Sequence, residues 1–485
     1  MSSKATLEKI TNLCKRRGLI FQSSELYGGF NGFWDFGPYG TAMRRAVEST
    51  WWDYMVEQRD NVVGQDSTII CHPQVWKASG HVDQFADIMV DNKISKKRYR
   101  IDNLLEQQNE QVLAKVAELM GSEADIGKLE AAFETKLQDS ENIDTVLIDA
   151  QVIDPATGKV GDWTPPRQFN LMMQTHVGPV ISEENKAYLR AETCQPIFIN
   201  FQTICNSTRQ KLPFGIAQTG KAFRNEINPR NFIFRSREFN QMELEFFCHA
   251  DDSMEWYNFW RDQRLAFYSD VLKFKDGSMR THDHDKLAHY AKAAMDIEFE
   301  FPFGWGELEG IHHRGTWDLS QHAEFSGQKQ EYFDQARNEK YVPTVVETSV
   351  GLDRLMLALL CEAYDEDEAI TAKDGKEVEG RVVMRFPAII APVQVAILPL
   401  SKKLSEGARE IHAKLKPFFR TEYDEAQGIG KRYRRQDEIG TPFCLTYDFE
   451  SSEDNCVTVR ERDSMSQERV AVDQLANYLM DKIRG

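Results

Sequence analysis

Residues 221–247, KAFRNEINPRNFIFRSREFNQMELEFF, constrain the fold most, because charged and aromatic residues alternate along them. In a strand, successive side chains point to opposite faces of the sheet. Phe239, Gln241, Glu243 and Glu245 therefore share one face, and the intervening, mostly apolar residues share the other. The turn sequence INPRN contains the proline and asparagines that turns favour. The pattern predicts an antiparallel hairpin with one core face and one polar face.

The polar face of this hairpin suits a ligand that is part anion, part aromatic base and part cation. Arg224 and Glu226 are predicted to point the same way from the first strand. Arginine meets phosphate with a fixed fork, phenylalanine stacks on a base, and a carboxylate meets an ammonium group. The alternative is a surface hairpin stabilised by cross-strand ion pairs.

A second charged stretch, VVETSVGLDR, reads as a strand that runs into a helix. Glu347 and Ser349 share a strand face, Gly351 opens the helix, and Arg354 lies in its first turn. Because the N-terminus of a helix favours bound anions, this stretch also predicts an anion-binding site.

Two further stretches place charged residues close together in strands. YLRAETCQPIFINF puts Arg190 and Glu192 on one face, and FGWGELEGI contains Glu307 and Glu309. Glu307 is a candidate Mg²⁺ ligand beside phosphates, and its alternative role is an exposed strand carboxylate.

Two patterns that suggest other chemistry are weak. GIAQTGKA at 215–222 fits G-x-x-x-x-G-K but has Ala222 where a phosphate-binding loop needs Ser or Thr. The histidines in THDHD (281–285) and HH (312–313) have no nearby cysteine and no H-x-x-x-H spacing. We therefore interpret these histidines as structural.

Composition narrows the class of protein. A chain of 485 residues with 41% hydrophobic and 28% charged residues predicts two or three globular domains. No apolar run approaches a membrane span, and the N-terminus lacks the apolar core of a secretion signal. Eight cysteines without a CxxC pair predict free thiols. A cytoplasmic enzyme with no membrane partner is the simplest interpretation.

Charge sets a limit on nucleic-acid binding. The net charge of −17 argues against nonspecific binding over the whole surface. Two basic stretches, KKRYR at 96–100 and KRYRR at 431–435, leave local binding open, although such stretches are more often solvated faces.

The order of these stretches resembles class II aminoacyl-tRNA synthetases, and most closely the homodimeric glycyl-tRNA synthetase family. FRNE with FRSREF resembles motif 2, VGLDR resembles motif 3, and residues 37–73 resemble the dimer-forming motif 1. RAETCQPIFINF, FGWGELEGI and RYRRQDEIGTPFCLTYD resemble stretches typical of the glycyl type. The resemblance covers nearly the whole chain and is weakest at about 101–160.

The resemblance implies an α+β fold. The expected catalytic domain, 1–384, is a six- to seven-stranded antiparallel sheet flanked by helices, with helical inserts at about 95–165 and 251–293. The expected anticodon-binding domain, 385–485, is an α/β domain. The implied activity is ATP-dependent attachment of glycine to tRNA(Gly) through a glycyl-adenylate, with release of AMP and diphosphate. The implied partners are glycine, ATP with Mg²⁺, tRNA(Gly) and a second copy of the chain.

The resemblance also implies roles for individual residues. Arg224 would grip the α-phosphate, Glu226 would help hold the adenine or ribose side, Phe239 would stack on adenine, and Arg354 would cover the other adenine face and meet the γ-phosphate. These implied catalytic residues are Arg224, Glu226 and Arg354, and the implied metal ligand is Glu307. The implied ATP site is Arg224, Asn225, Glu226, Phe234, Arg235, Ser236, Arg237, Glu238, Phe239, Glu307, Leu308, Gly351, Leu352, Asp353 and Arg354. The implied glycine site is Arg100, Glu192, Phe239, Asn240, Gln241, Met242, Glu243, Glu347, Thr348, Ser349, Val350 and Gly351.

Two alternatives from other classes stay open at this point. A non-catalytic tRNA-binding paralogue is expected to have lost Arg224, Arg354 or the glycine-site glutamates, and all are present. A ligase that forms an aminoacyl-adenylate without tRNA needs no anticodon-binding domain, yet residues 385–485 resemble one.

Overall fold

A computed structural model describes residues 5–82, 85–139, 141–284, 287, 291–368, 370–371, 377–378 and 380–484. The chain divides into two compact units, Met1–Cys71 with Glu192–Gly485, and His72–Ala191. The helices of the described residues are α1 Leu7–Arg17, α2 Pro38–Trp52, α3 Pro73–Ala78, α4 Ile101–Leu105, α5 Glu110–Met120, α6 Ile126–Gln138, α7 Val146–Asp149, α8 Gln195–Thr208, α9 Ser253–Ala266, α10 Trp317–Ser326, α11 Leu352–Ala363, α12 Ser405–Leu415, α13 Ile429–Ile439, α14 Ser451–Asp454 and α15 Leu475–Arg484.

The strands of the described residues are β1 Ile20–Gln22, β2 Trp34–Phe36, β3 Val62–Gly64, β4 Ala86–Asp91, β5 Arg98–Arg100, β6 Ile153–Asp154, β7 Lys159–Val160, β8 Arg167–Asn170, β9 Gln174–His176, β10 Lys186–Tyr188, β11 Phe214–Phe223, β12 Glu238–Cys248, β13 Met279–Asp283, β14 Ala293–Phe301, β15 Gly304–Gly315, β16 Tyr332–Asp334, β17 Glu339–Tyr341, β18 Thr344–Gly351, β19 Tyr364–Asp367, β20 Ile370–Thr371, β21 Glu377–Val378, β22 Arg381–Met384, β23 Val395–Pro399, β24 Thr421–Tyr423, β25 Phe443–Tyr447, β26 Cys456–Glu461 and β27 Gln467–Ala471.

The centre of the first unit is a seven-stranded sheet in the order β13-β14-β15-β18-β12-β11-β3. Its neighbouring strands are antiparallel, except that β3 runs parallel to β11. Met242, Leu244 and Phe246 on β12 are fully buried in one apolar core with residues of α1, α2, α9 and α11. The predicted core face of the hairpin is therefore confirmed, as is the class of sheet.

The hairpin itself is shorter than predicted at its turn. β11 and β12 pair in register from Phe214↔Phe247 to Phe223↔Glu238. Arg224 and Glu226 lie beyond the end of β11, where the Arg224 amide still donates to the Arg237 carbonyl at 2.9 Å. The prediction that both side chains project from a strand is wrong, because the paired ladder ends at Phe223. Residues 215–222 lie within β11, so GIAQTGKA forms a strand and not a phosphate-binding loop.

A bulge in β15 decides which carboxylate of GWGELEG faces which side of the sheet. Glu298 of β14 pairs with Glu307, whereas its neighbour Ile297 pairs with Glu309, so Leu308 is an extra residue. Leu308 and Glu309 are both buried, and Glu309 binds Arg264 of α9 at 2.6 Å. The bulge thus separates Glu307 from Glu309, and Glu309 belongs to a buried structural ion pair.

The segments predicted as helical inserts, about 95–165 and 251–293, differ in secondary structure. Within the second unit, α4 to α7 share an apolar core of their own, and β4, β5 and β8 form a three-stranded sheet. Among the described residues of 251–293, in contrast, the helical ones belong to α9 and the π-helical turn Phe267–Val271. Met279–Asp283 is instead strand β13, because it pairs with Met295–Phe299 of β14 at the edge of the central sheet.

Residues of the C-terminal portion form a five-stranded sheet in the order β24-β23-β25-β26-β27, with α12 and α15 packed into its apolar core. The basic stretch at 431–435 lies on α13. Arg432 is buried and donates to the Pro399 and Asp424 carbonyls at 2.8 and 3.0 Å, and Arg435 pairs with the Asp424 carboxylate at 3.0 Å. Part of this stretch is therefore structural. No helix among the described residues is both long and apolar enough to cross a bilayer.

Candidate active site

The face of the central sheet opposite the apolar core lines a cavity of about 260 Å³. Strands β12, β15 and β18 supply its floor, the turn after β11 and the start of α11 supply one end, and the segment before α8 supplies the other. The lining residues are Glu192, Arg224, Glu226, Ile233, Phe234, Arg235, Ser236, Phe239, Gln241, Glu243, Glu307, Gly310, His312, Arg314, Glu347, Ser349, Gly351, Asp353 and Arg354.

One end of the cavity is built from two guanidinium groups stacked on aromatic rings. The Arg224 guanidinium lies 5.4 Å from the centre of the Phe239 ring, and that of Arg354 lies 4.6 Å from the centre of the Phe234 ring. Arg354 Nε also donates to the Phe234 carbonyl at 3.2 Å. A cation is attracted to an aromatic face, and a guanidinium group offers both a planar surface and N–H donors that bind anions. This end can therefore hold a planar base together with an anion.

Glu307 lies beside these arginines. Its Oε2 atom is 3.0 Å from Arg354 Nη1. Partial desolvation inside the cavity opposes ionisation of this carboxyl, but Arg354 and Arg224 lower the pKa of Glu307 below its ordinary value. Glu307 is therefore a carboxylate at neutral pH, and its side chain remains 51% exposed.

The other end of the cavity concentrates carboxyl groups, of which Glu243 is the most buried. Ser349 Oγ donates to Glu243 Oε1 at 2.6 Å, and Gln241 Nε2 donates to the same oxygen at 3.0 Å. Thr193 Oγ1 donates to Oε2. Burial, reinforced by the charges of Glu347 and Glu192, raises the pKa of Glu243 to about 7. The group is thus poised to gain or lose a proton near neutrality.

Glu347 is held in the opposite charge state. Arg314 Nη1 donates to its Oε2 atom at 2.7 Å, and His312 Nδ1 lies 2.7 Å from Oε1. Arg314 is itself fixed by two hydrogen bonds to Asp318, at 2.8 and 2.9 Å. Burial would raise the pKa of Glu347, but Arg314 and the hydrogen bond from His312 lower it well below its ordinary value. Glu347 is therefore a fixed negative charge.

Glu192 completes the carboxyl group cluster from the segment that precedes α8. Its Oε1 atom accepts from Cys194 Sγ and from Gln195 Nε2, both at 3.0 Å. Gln218 of β11 donates to the Thr193 carbonyl at 2.9 Å and so fixes this segment against the sheet. Pro196 in the first turn favours the start of α8 at this point, which keeps Glu192 outside the helix.

The structure brings together most of the side chains that the resemblance implied and separates others. Fifteen of the implied residues line the cavity: Glu192, Arg224, Glu226, Phe234, Arg235, Ser236, Phe239, Gln241, Glu243, Glu307, Glu347, Ser349, Gly351, Asp353 and Arg354. The side chains of five others are buried or nearly so and do not line it: Met242, Leu308, Thr348, Val350 and Leu352. Asn225, Arg237, Glu238 and Asn240 also lie outside its lining.

Arg100, another implied glycine-site residue, lies in the second unit. There it pairs with Asp102 and, at 3.2 Å, with Asp87. Four cavity residues were missed by the sequence analysis, namely Ile233, Gly310, His312 and Arg314. Gly310, His312 and Arg314 alternate along β15 with period 2 and so share a face of the strand. Which face of the sheet this is can be assigned only when the bulge at Leu308 is known.

Three family models match the chain. "tRNA synthetase class II core domain (G, H, P, S and T)" matches residues 179–363, "Anticodon binding domain" matches 394–482, and "Glycyl-tRNA synthetase insertion domain 1" matches 87–171. Glycine--tRNA ligase of Treponema denticola is 46% identical over 487 residues, which cover 99% of this chain and 98% of that protein. The chain belongs to the glycine–tRNA ligase family.

Further relatives agree with this assignment. Glycine--tRNA ligase of Clostridium perfringens is 47% identical over 98% of both chains, and that of Thermobifida fusca is 47% identical over 100% of both. Solved structures with low sequence identity to this chain share the fold. A threonyl-tRNA synthetase structure from Cryptosporidium parvum, described as its RNA binding domain, has a TM-score of 0.62 at 16% identity, covering 98% of both chains. Prolyl-tRNA synthetase from the same organism has a TM-score of 0.61 at 13% identity, covering 99% of this chain and 76% of that one. The class II synthetase fold expected from the sequence is confirmed.

Proposed function

We propose that this chain attaches glycine to tRNA(Gly) in two steps, first forming glycyl-adenylate from glycine and ATP and then transferring glycine to the tRNA. The observation that carries the proposal is one cavity with two chemically distinct ends. Arg224 on Phe239 and Arg354 on Phe234 form a nucleotide end, and three carboxyl groups form an end for a small ammonium ion. Family membership supplies independent support.

The first step joins the two substrates across this cavity. The carboxylate of glycine attacks the α-phosphorus of ATP, a P–O bond forms, and diphosphate leaves with the electron pair of the broken bond. A carboxylate is already a nucleophile, so the step needs no general base. Catalysis then consists of holding the reactants in line and stabilising the charge on the α-phosphoryl oxygens, which is the role we assign to Arg224.

The nucleotide is held by the other residues of the same end. Phe239 would stack on adenine, Arg354 would cover its other face and reach the γ-phosphate, and Glu226 would hold the adenine or ribose side. Arg354 lies in the first turn of α11, where the helix N-terminus adds to the positive potential. ATP as substrate follows from the class. These single-residue roles are the ones that the family resemblance implies, and they are supported by the presence of Arg224, Glu226, Phe239 and Arg354 in one cavity lining.

Glu307 fits the Mg²⁺ ligand that we propose for the nucleotide. It is an ionised, half-exposed carboxylate beside the two arginines, and Mg²⁺ is commonly bound by one or two protein carboxylates plus substrate phosphates. When bound, Mg²⁺ would neutralise part of the phosphate charge. On binding Mg²⁺, the Glu307 carboxylate would give up part of its contact with Arg354, and the Arg354 guanidinium would then be available to bind the nucleotide.

Glycine would be recognised by its ammonium group and by the absence of a side chain. Glu347, fixed as an anion by Arg314, and Glu243, held by Ser349, offer oxygen atoms to the ammonium. The same carboxyl groups fill the space that a β-carbon would need. Steric exclusion of this kind can exceed the roughly 1–3 kcal/mol of discrimination that one methylene gives in an ordinary pocket.

The second step transfers the glycyl group to the 3′-terminal ribose hydroxyl of tRNA, which attacks the adenylate carbonyl while AMP leaves. The match of residues 394–482 to an anticodon-binding domain supports a tRNA substrate. We also propose residues 1–384 and 385–485 as catalytic and anticodon-binding domains, and a cytoplasmic homodimer formed through residues 37–73. Sedimentation at micromolar concentration tests the dimer, since a monomer mass would contradict it.

The function is tested by charging of unfractionated tRNA with labelled glycine in the presence of ATP. Glycine should become acid-precipitable with wild-type protein, and the Glu243→Gln variant should need a higher glycine concentration for the same rate. Formation of glycyl-adenylate without transfer to any tRNA would contradict the second step and favour a tRNA-independent ligase. Binding of tRNA without either reaction would favour the non-catalytic alternative.

A further inference from the structure

The geometry points to a second cation site, for a divalent transition-metal ion of the zinc class, formed by His284, Asp296 and His312. The three residues come from neighbouring parts of the central sheet, directly after β13, on β14 and on β15. One possible ligand atom from each lies within 4.8 Å of the others. The sequence spacing gave no indication of this group, because its members are brought together only by strand pairing.

Two of the three ligands are held in orientations that suit metal binding. His312 Nδ1 lies 2.7 Å from Glu347 Oε1, so the carboxylate holds the ring through Nδ1, and Nε2 is the ring nitrogen left to bind a metal ion in place of a proton. A histidine whose second nitrogen is bound to a carboxylate is the common arrangement around protein-bound zinc. His284 Nε2 lies 2.9 Å from Asp296 Oδ2, which places these two groups side by side.

Gly310 provides the space that the His312 ring occupies. A Cβ atom at this position would lie 2.6 Å from His312 Cε1 and 3.0 Å from Nε2. Asp296 of β14 is paired with Gly310, so the ring leans over the position beside Asp296. Any larger residue at 310 would push the imidazole away from the other two ligands.

Two imidazoles and one carboxylate are ligands that zinc and related divalent ions prefer. Ligand atoms around a tetrahedral zinc ion are about 3.3 Å apart, given bonds of about 2.0–2.1 Å, so small side-chain rotations would close the group. The side chains of His284, Asp296 and His312 are 35%, 17% and 30% exposed, which lets an ion enter and leaves a position for water.

Two charged neighbours in the part of the chain that the structure describes are engaged elsewhere. His282, two residues before His284, lies 3.4 Å from Glu298. Arg314, two residues after His312, directs its guanidinium to Glu347 and Asp318. His282 therefore serves as a matched control, since it is a histidine from the same edge strand outside the proposed ligand set.

The test uses full-length protein freed of metal with a chelator and then titrated with Co²⁺, followed by its visible absorption and by displacement with Zn²⁺. We expect one equivalent of Co²⁺ to bind per chain. Its visible d–d absorption bands should be those of an ion bound by nitrogen and oxygen atoms. Binding should weaken at least about tenfold in His284→Ala and in Asp296→Asn and be unchanged in His282→Ala. Equal thermal midpoints of the metal-free variants would show that the fold is intact.

Three outcomes would overturn the proposal. The first is no saturable equivalent in the wild type. The second is binding that survives both His284→Ala and Asp296→Asn. The third is a thiolate charge-transfer band near the ultraviolet, which would assign the metal to a cysteine such as Cys456.

Discussion

Glu245 and Glu347 lie directly opposite each other on β12 and β18, yet their surroundings favour opposite charge states. Glu347 accepts hydrogen bonds from Arg314 and His312 and is an anion. Neither carboxyl oxygen of Glu245 has a hydrogen-bond partner among the described residues, and burial, with the charge of Glu347, raises the pKa of Glu245 well above its ordinary value. The paired strands β12 and β18 therefore carry a fixed negative charge at Glu347, which lines the cavity, and a carboxyl group whose neutral form burial favours at Glu245, which does not line it.

The neutral state of Glu245 predicts a pH dependence of stability. The folded state keeps the Glu245 proton, whereas the unfolded chain loses it near the ordinary value of 4.5. Stability from this group is therefore fully present below that pH and falls as pH rises, by about 1.4 kcal/mol per pH unit for one proton. Glu245→Gln removes this dependence. Calorimetry at about pH 6 and pH 8 should show the midpoint of the wild type falling relative to the variant; parallel midpoints would mean that Glu245 is ionised in the fold.

Glycine binding is predicted to release protons through Glu243. Its pKa is raised to about 7, and the ammonium of glycine favours the ionised form. Apparent affinity for glycine should therefore rise between about pH 6 and pH 8. Calorimetric titrations in buffers of different ionisation enthalpy measure the released protons directly. In Glu243→Gln the release should disappear and glycine KM should rise about tenfold or more, with ATP KM little changed. Equal losses for both substrates would contradict the assignment of Glu243 to glycine.

Arg224 is predicted to act on the reaction and not on the fold. Arg224→Ala should lower the rate of adenylate formation by about 100- to 1000-fold, because a charge-stabilising group at the α-phosphate is lost. Arg230→Ala is the control, since Arg230 is exposed in the same turn and does not line the cavity. Single-turnover kinetics and thermal midpoints check the two effects. An unfolded Arg224→Ala protein would favour a purely structural hairpin.

Arg314, which the sequence analysis missed, is predicted to position Glu347. Arg314→Lys keeps the charge but cannot form the same fork between Glu347 and Asp318. The pKa of Glu347 should then rise, so glycine KM should increase most at acidic pH while ATP KM stays constant. Arg280→Lys is the matched control, an arginine–glutamate pair at the edge of the same sheet. If the glycine KM of Arg314→Lys equals that of the wild type across the pH range, Arg314 does not position Glu347 for glycine binding.

Period-2 alternation in the sequence was sufficient to predict the two faces of the hairpin strand β12, but it was insufficient to predict the faces of β15. Met242, Leu244 and Phe246 alternate strictly with Gln241, Glu243 and Glu245, and β12 pairs without a break, so the two faces follow from period 2. In β15 the extra residue Leu308 interrupts the alternation, and nothing in the local sequence GELEG marks the bulge. Its position depends on which residues of β14 it pairs with, and that is tertiary information.

The same limit explains the missed residues His312 and Arg314. Their partner Glu347 lies on β18, more than thirty positions away, and the pairing of β15 with β18 is what creates the contacts. Glu192, Glu243 and Glu347 were found because each belongs to a stretch that resembles a known motif. Residues that act by orienting those glutamates have no such motif and become visible only in the fold.

We propose that the carboxyl-rich end of the cavity selects glycine for activation with ATP. Exchange of labelled diphosphate into ATP, measured across a panel of amino acids, tests it most directly. We predict exchange with glycine and little with alanine or serine, whose β-carbons would meet Glu243 or Glu347. No exchange with glycine, together with exchange driven by another amino acid, would show that this cavity activates an amino acid other than glycine.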